Sequence, residues 1–181
     1  MSLQLPMPNL QRLRCPPKFL PSITTAGLKE IRLIWFISDS VGTTFVKELK
    51  SLTRSDISFV CSLDCTEDRC KEILDSLSSN IPYTQTLQMS IFSFSSRDDI
   101  MTHLMECLPR FTNLLFLSIP GHPGHFAHIA PEYRIMAQDF FNTCSTLQAC
   151  RLHDEAWRKV NGTWEPFPVE DFCMLAGISW V

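Results

Sequence analysis

The sequence predicts an α/β chain: a solenoid with parallel strands on its concave side, helices on its convex side and a C-terminal hairpin cap. Three observations point there. Apolar segments with strand-like alternation recur at a near-constant interval, stretches of helical periodicity lie between them, and an Asn-Gly turn between two tryptophans follows the last of them.

Four segments place Leu, Ile or Cys at the apolar positions of an L-x-x-L-x-L pattern. They are Leu10-Gln-Arg-Leu13-Arg-Cys15, Leu28-Lys-Glu-Ile31-Arg-Leu33, Leu114-Leu-Phe-Leu117-Ser-Ile119 and Leu147-Gln-Ala-Cys150-Arg-Leu152. Two looser members, Ile57/Phe59/Cys61/Leu63 and Leu87/Met89/Ile91, keep only the period-2 alternation of a strand. Between the central apolar residues Ile31, Phe59, Met89, Leu117 and Cys150 the steps are 28, 30, 28 and 33 residues. Each gap holds an amphipathic helical pattern. The first is Phe45, Val46, Leu49 and Leu52, and the second is Cys70, Ile73, Leu74 and Leu77. The third is Ile100, Leu104, Cys107, Leu108 and Phe111, and the fourth is Met136, Ala137, Phe140, Phe141 and Cys144. Ser96-Arg-Asp-Asp99 resembles a capping box, and Pro131 suits the first turn of the fourth helix.

A strand, a loop and a helix repeating at this length make a leucine-rich-repeat-like unit, whose core becomes continuous only when neighbours stack. An ordinary doubly wound βαβ sheet shares the alternation and stands as the alternative. Against it, the chain has no G-x-G-x-x-G or G-x-x-x-x-G-K-[ST] turn. After Leu152 the repeat stops. Trp157 to Glu165 reads as a two-residue hairpin about Asn161-Gly162, with Trp157 and Trp164 packing as a lid on the last repeat. The expected division is a tail over 1–9, the solenoid over 10–155, and the hairpin cap and tail over 156–181.

Composition sets the outer bounds. The 181 residues are 45% apolar and 19% charged, which suits a globular chain able to bury roughly 70% of its unfolded surface. A net charge of −3 gives no general drive toward nucleic acid or anionic lipid. The longest apolar run, Leu33 to Ile37, is far shorter than a bilayer span, and the proline-broken N-terminus lacks the apolar core of a secretory signal. The chain is therefore expected in the cytoplasm or nucleus, its eight cysteines free thiols. None of them form C-x-x-C.

On the solenoid reading, residues alternating with the buried ones face the concave surface and make up the partner-binding candidates. They are Glu30, Arg32 and Ile34 on one strand, Ser62 and Asp64 on the next, then Gln88, Ser90 and Phe92. Phe116 and Ser118, and finally Arg151 and His153, complete the set. Arginine and aromatic side chains are common anchors of protein interfaces, and Phe92 and Phe116 are expected to be exposed. No catalytic residue, cofactor or metal site is expected, since G-x-S-x-G and H-E-x-x-H are both missing. Residues 121–128, GHPGHFAH, hold His122, His125 and His128 at three-residue intervals. Gly121, Pro123 and Gly124 work against a helix there, and in an extended segment residues three apart point to opposite sides. The stretch is expected to be a rim loop beside the concave face. Two other readings stand: a metal-dependent enzyme centred on this loop, and a degenerate, truncated product.

The repeats, together with Cys144-Ser-Thr-Leu147-Gln-Ala-Cys-Arg-Leu152, Trp157, Asn161-Gly162, Trp164 and Pro166, resemble the C-terminal region of F-box-type proteins of mushroom-forming fungi. The resemblance runs from about residue 10 to 168, and its final segment is the specific part. It implies a non-enzymatic protein-interaction scaffold, the substrate-recognition part of a cullin-type ubiquitin-ligase adaptor. Here the repeats begin by about residue 10, leaving no room for the F-box itself, so docking to the ligase adaptor is not expected.

Overall fold

The computed structural model describes residues 5–25, 28–34, 44–53, 59–92, 97–120 and 130–178. Ten strands and five α-helices lie in these residues in the order β1 (Leu5–Pro6), β2 (Arg12–Cys15), β3 (Ile23–Thr24), β4 (Glu30–Ile34), α1 (Thr44–Leu52), β5 (Val60–Thr66) and α2 (Glu67–Asn80). There follow β6 (Thr86–Phe92), α3 (Arg97–Cys107), β7 (Phe116–Ile119), α4 (Ala130–Thr143), β8 (Ala149–Leu152), β9 (Glu155–Val160), β10 (Thr163–Phe167) and α5 (Val169–Leu175). Short 3-10 turns occupy Pro17–Ser22 and Leu108–Arg110.

Eight strands form one mixed, mostly parallel sheet in the order β2-β4-β5-β6-β7-β8-β9-β10. The first six are parallel and neighbour one another in chain order, whereas β9 and β10 run antiparallel. β1 and β3 pair separately. The doubly wound alternative requires the strand order to reverse at a switch point. The order among the described strands has no such reversal.

Strand parity decides the two faces. Ile31 and Leu33, Cys61 and Leu63, Leu87, Met89 and Ile91, Leu117 and Ile119, and Cys150 and Leu152 all point to one side. There they meet Val46, Leu49 and Leu52 of α1, Ile73, Leu74 and Leu77 of α2, Ile100 and Leu104 of α3, and Phe140 and Phe141 of α4 in a single core. Leu, Ile and Phe buried this way contribute about 1.5–3 kcal/mol each. The core helices α1–α4 thus share one face. Polar links join successive units beside the core: the Thr53 hydroxyl lies 2.7 Å from the Tyr83 hydroxyl, and Thr146 donates to the Leu114 carbonyl.

Asn161 and Gly162 take φ of 51° and 85°, the double positive φ of a type I′ turn, and set the β9–β10 pairing. Trp157 is buried in the main core, and Trp164 stacks on Phe141 of α4. The hairpin covers the end of the core with aromatic area.

Beyond the hairpin, the tail contains the helix α5. Pro168 is the N-cap of α5, Glu170 and Asp171 fall in its first turn, and Gly177 ends it at φ 69°. The Ile178 N–H donates to the Cys173 carbonyl and the Gly177 N–H to that of Met174, closing a Schellman motif. This helix lies on the sheet face opposite α1–α4.

Candidate functional site

The face that α1–α4 leave free carries the residues of opposite parity, and strand register sorts them into rows. The row nearest the strand starts holds Glu30, Val60, Thr86, Phe116 and Ala149. The next holds Arg32, Ser62, Gln88, Ser118 and Arg151. Asp64 and Ser90 begin a third.

α5 seats on the first row. Phe172, Cys173, Ala176 and Ile178 pack with Val60, Ala149 and Ala156, and with Phe116 and Phe167, in a second apolar cluster. The Thr86 hydroxyl donates to the Ala176 carbonyl at 2.7 Å, and Arg151 Nη1 reaches Cys173 Sγ at 3.7 Å. The apolar members of the first row, Val60, Phe116 and Ala149, explain why β5, β7 and β8 read as apolar at both parities where they start. The sheet is covered on both sides there, as buried parallel strands are.

The second row is polar, and side chains of this face are tied across strands. Arg32 donates from Nε and Nη2 to the two oxygens of Asp64, at 3.0 and 3.4 Å. Ser62 donates to Gln88 Oε1 at 3.1 Å, and Arg12 pairs with Glu30 at 3.3 Å. Ser118 lies between Gln88 and Arg151 in register, is 0% exposed, and its hydroxyl has no hydrogen-bond partner among the described residues.

Of the sequence candidates, Glu30, Arg32, Ser62, Asp64, Gln88, Ser90, Phe116, Ser118 and Arg151 share this face. Ile34 and Phe92 belong to β4 and β6, but their side chains lie outside the described residues, as do His122, His125 and His128 with their loop. Two placements differ from expectation. Phe116 is not an open aromatic anchor: its ring stands edge-on to Phe172, with centroids 6.3 Å apart. His153 is not on the strand: it sits at φ 61° between β8 and β9 and stacks on Tyr133 of α4. Arg151 is held by the His153 carbonyl at 2.8 Å as well as by α5. What composition alone did not place here is an exposed apolar ridge on α5, where Met174 and Leu175 are 74% and 57% exposed.

A second convergence lies on the helical side. Asp75 of α2 meets His103 and Cys107 of α3, and one ligand atom from each lies within 4.8 Å of the others. Partial burial opposes ionisation of Asp75. The hydrogen bond from Arg110 at 2.9 Å, with the fields of His103 and Arg110 and the Cys107 thiol, outweighs it and holds the carboxyl below its usual range. Burial, reinforced by that carboxylate, pushes the Cys107 thiol up to about 11. Burial likewise raises Cys15 to about 11 and Cys150 further. The described cysteines are free thiols, and the raised values of Cys15, Cys107 and Cys150 disfavour a nucleophilic thiolate at those three positions at neutral pH.

No protein-family model matches the sequence, and no curated protein or solved structure matches it either. No helix among the described residues is long and apolar enough to cross a membrane.

Proposed function

We propose that the chain is a leucine-rich-repeat-like solenoid serving as a non-enzymatic protein-interaction scaffold. The partner docks on the sheet face opposite α1–α4. The observation that carries this reading is a sheet whose six parallel strands follow chain order, with polar side chains of successive strands in register along one face. Each strand adds one step to a continuous surface, the usual way stacked repeats build a binding site. With α5 seated on the first row, the partner meets two things side by side: the polar rows that begin with Arg32, Asp64 and Ser90, and the Met174–Leu175 ridge. Arg and Met are both enriched where proteins meet. The resemblance to F-box-type proteins makes a client of a cullin-type ubiquitin ligase the partner class.

The test is comparative capture with the full chain and three variants. Arg32→Glu and Met174→Asp are expected to lose the same partners, whereas Arg134→Glu, at an exposed position of α4, keeps them. A partner set unchanged by Arg32→Glu and Met174→Asp overturns the face assignment. Enrichment of ubiquitin-conjugated clients on the intact chain supports the ligase relation, and its failure leaves only a scaffold of another kind.

A further inference from the structure

His103 and Cys107 are four residues apart on α3 and therefore share a helical face, which is turned toward Asp75 on α2. Asp75 Oδ2 lies 3.2 Å from His103 Nε2, and Cys107 Sγ lies 3.5 Å from Asp75 Oδ1. Nε2 is buried yet makes no hydrogen bond among the described residues. On the far side of the ring, Nδ1 faces Glu106 Oε2 at 3.7 Å. With an ion on Nε2, the Glu106 carboxylate beyond Nδ1 would face the ring proton there, the arrangement that orients metal-binding imidazoles. Arg110 engages Asp75 through Oδ1, which leaves Oδ2 for the cluster.

We propose that Asp75, His103 and Cys107 form a binding site for a divalent ion of the zinc class, with water as fourth ligand, clipping α2 to α3. The donor set of one oxygen, one nitrogen and one sulfur suits a borderline-soft ion and not calcium or magnesium, which take oxygen. Ligands 2.0–2.3 Å from a tetrahedral zinc stand about 3.5 Å from one another. The Oδ2–Nε2 separation of 3.2 Å already meets this; Cys107 Sγ stands 3.5 Å from the other oxygen, Oδ1, and with all three ligand atoms within 4.8 Å of one another a side-chain rotation brings it to the same ion. Half of the Asp75 side chain is exposed, which gives the ion a way in. On binding, the Cys107 thiol loses its proton to solvent as the sulfur–metal bond forms, so uptake releases a proton and strengthens as pH rises. The site is independent of the partner-binding reading, and either can fail without the other.

Cobalt(II) titrated into the apo full-length chain, with a non-thiol reductant present, is expected to bind at one equivalent. It should show a thiolate-to-cobalt absorption band and be displaced by zinc. Cys107→Ser removes the band, His103→Gln weakens binding by more than roughly tenfold, and Glu106→Gln weakens it by about tenfold through the ring orientation. Cys15→Ser, at a half-buried thiol elsewhere, leaves the titration unchanged. The absence of a thiolate band overturns the site, as does a band that survives Cys107→Ser or vanishes in Cys15→Ser. Cys107 is buried, so circular dichroism checks that its variant folds. X-ray absorption of the zinc-loaded wild type is the second measurement: one sulfur with nitrogen and oxygen ligands supports the site, and none or several sulfurs overturn it.

Discussion

The Phe172 ring stands edge-on to Phe116, centroids 6.3 Å apart at 83°, and so fixes α5 to the sheet face that the other helices leave free. Phe172 is fully buried. Phe172→Ala is expected to cost about 3–4 kcal/mol, read as a lower denaturant midpoint. Its signature is local: the buried Cys173 thiol should be alkylated faster than in the wild type, while Cys150 stays protected in the main core. Equal protection of Cys173 in both proteins would show that α5 does not depend on this contact.

Arg32 and Asp64 form a well-shielded ion pair on the open face, their side chains 21% and 7% exposed. Removing one partner leaves the other largely desolvated, so Asp64→Ala should destabilise by ~2 kcal/mol, less than the 3–5 kcal/mol of fully buried pairs because Arg32 still reaches water. A double-mutant cycle with Arg32→Met measures the pair, and a coupling energy near zero would remove it from the account of stability.

The ion pair of Asp75 and Arg110 makes stability depend on pH. The Asp75 carboxyl is lower in the folded chain than its ordinary value of about 3.9. Its contribution is therefore complete above that value and is lost as pH falls through the folded one. With a chelator present, Asp75→Asn should cost no more than about 1 kcal/mol at pH 7, because the pair is half exposed. The gap between wild type and variant should close as the pH drops below 3.9. A gap that widens on acidification would contradict the sign.

Gly162, at φ 85° with open space where a Cβ would stand, is constrained by backbone conformation alone. Gly162→Ala should cost about 1 kcal/mol, seen as a small drop in the melting temperature.

Much of the fold is legible in the sequence because it is local. Each strand alternates, each helix keeps its apolar face, and the interval between Ile31, Phe59, Met89, Leu117 and Cys150 counts the units. α5 carried its own signals, with Pro168 before it, Glu170 and Asp171 in its first turn, and Gly177 after it. Its docking place was not legible, since it depends on Val60, Phe116 and Ala149, which are distant in sequence and adjacent only across the sheet. For the same reason Phe116 reads as an open anchor from parity alone. The Asp75–His103–Cys107 cluster joins two helices, so no contiguous motif announces it. One trace was present: His103 stands 30 residues after Ile73, and Cys107 30 after Leu77, which puts an imidazole where the preceding helix has a core residue.

A sheet whose parallel strands follow chain order also dictates how the chain can assemble. Each new strand closes a loop of about one unit onto the strand just laid down, and loop closure over so few residues is entropically cheap. Growth from any starting unit can spread to its neighbours without waiting for a distant segment. The Thr86–Ala176 hydrogen bond spans 90 residues and ties the middle of the sheet to the end of α5. That long closure has no landing site until β5 to β8 stand side by side, so the C-terminal helix locks a sheet that has already formed.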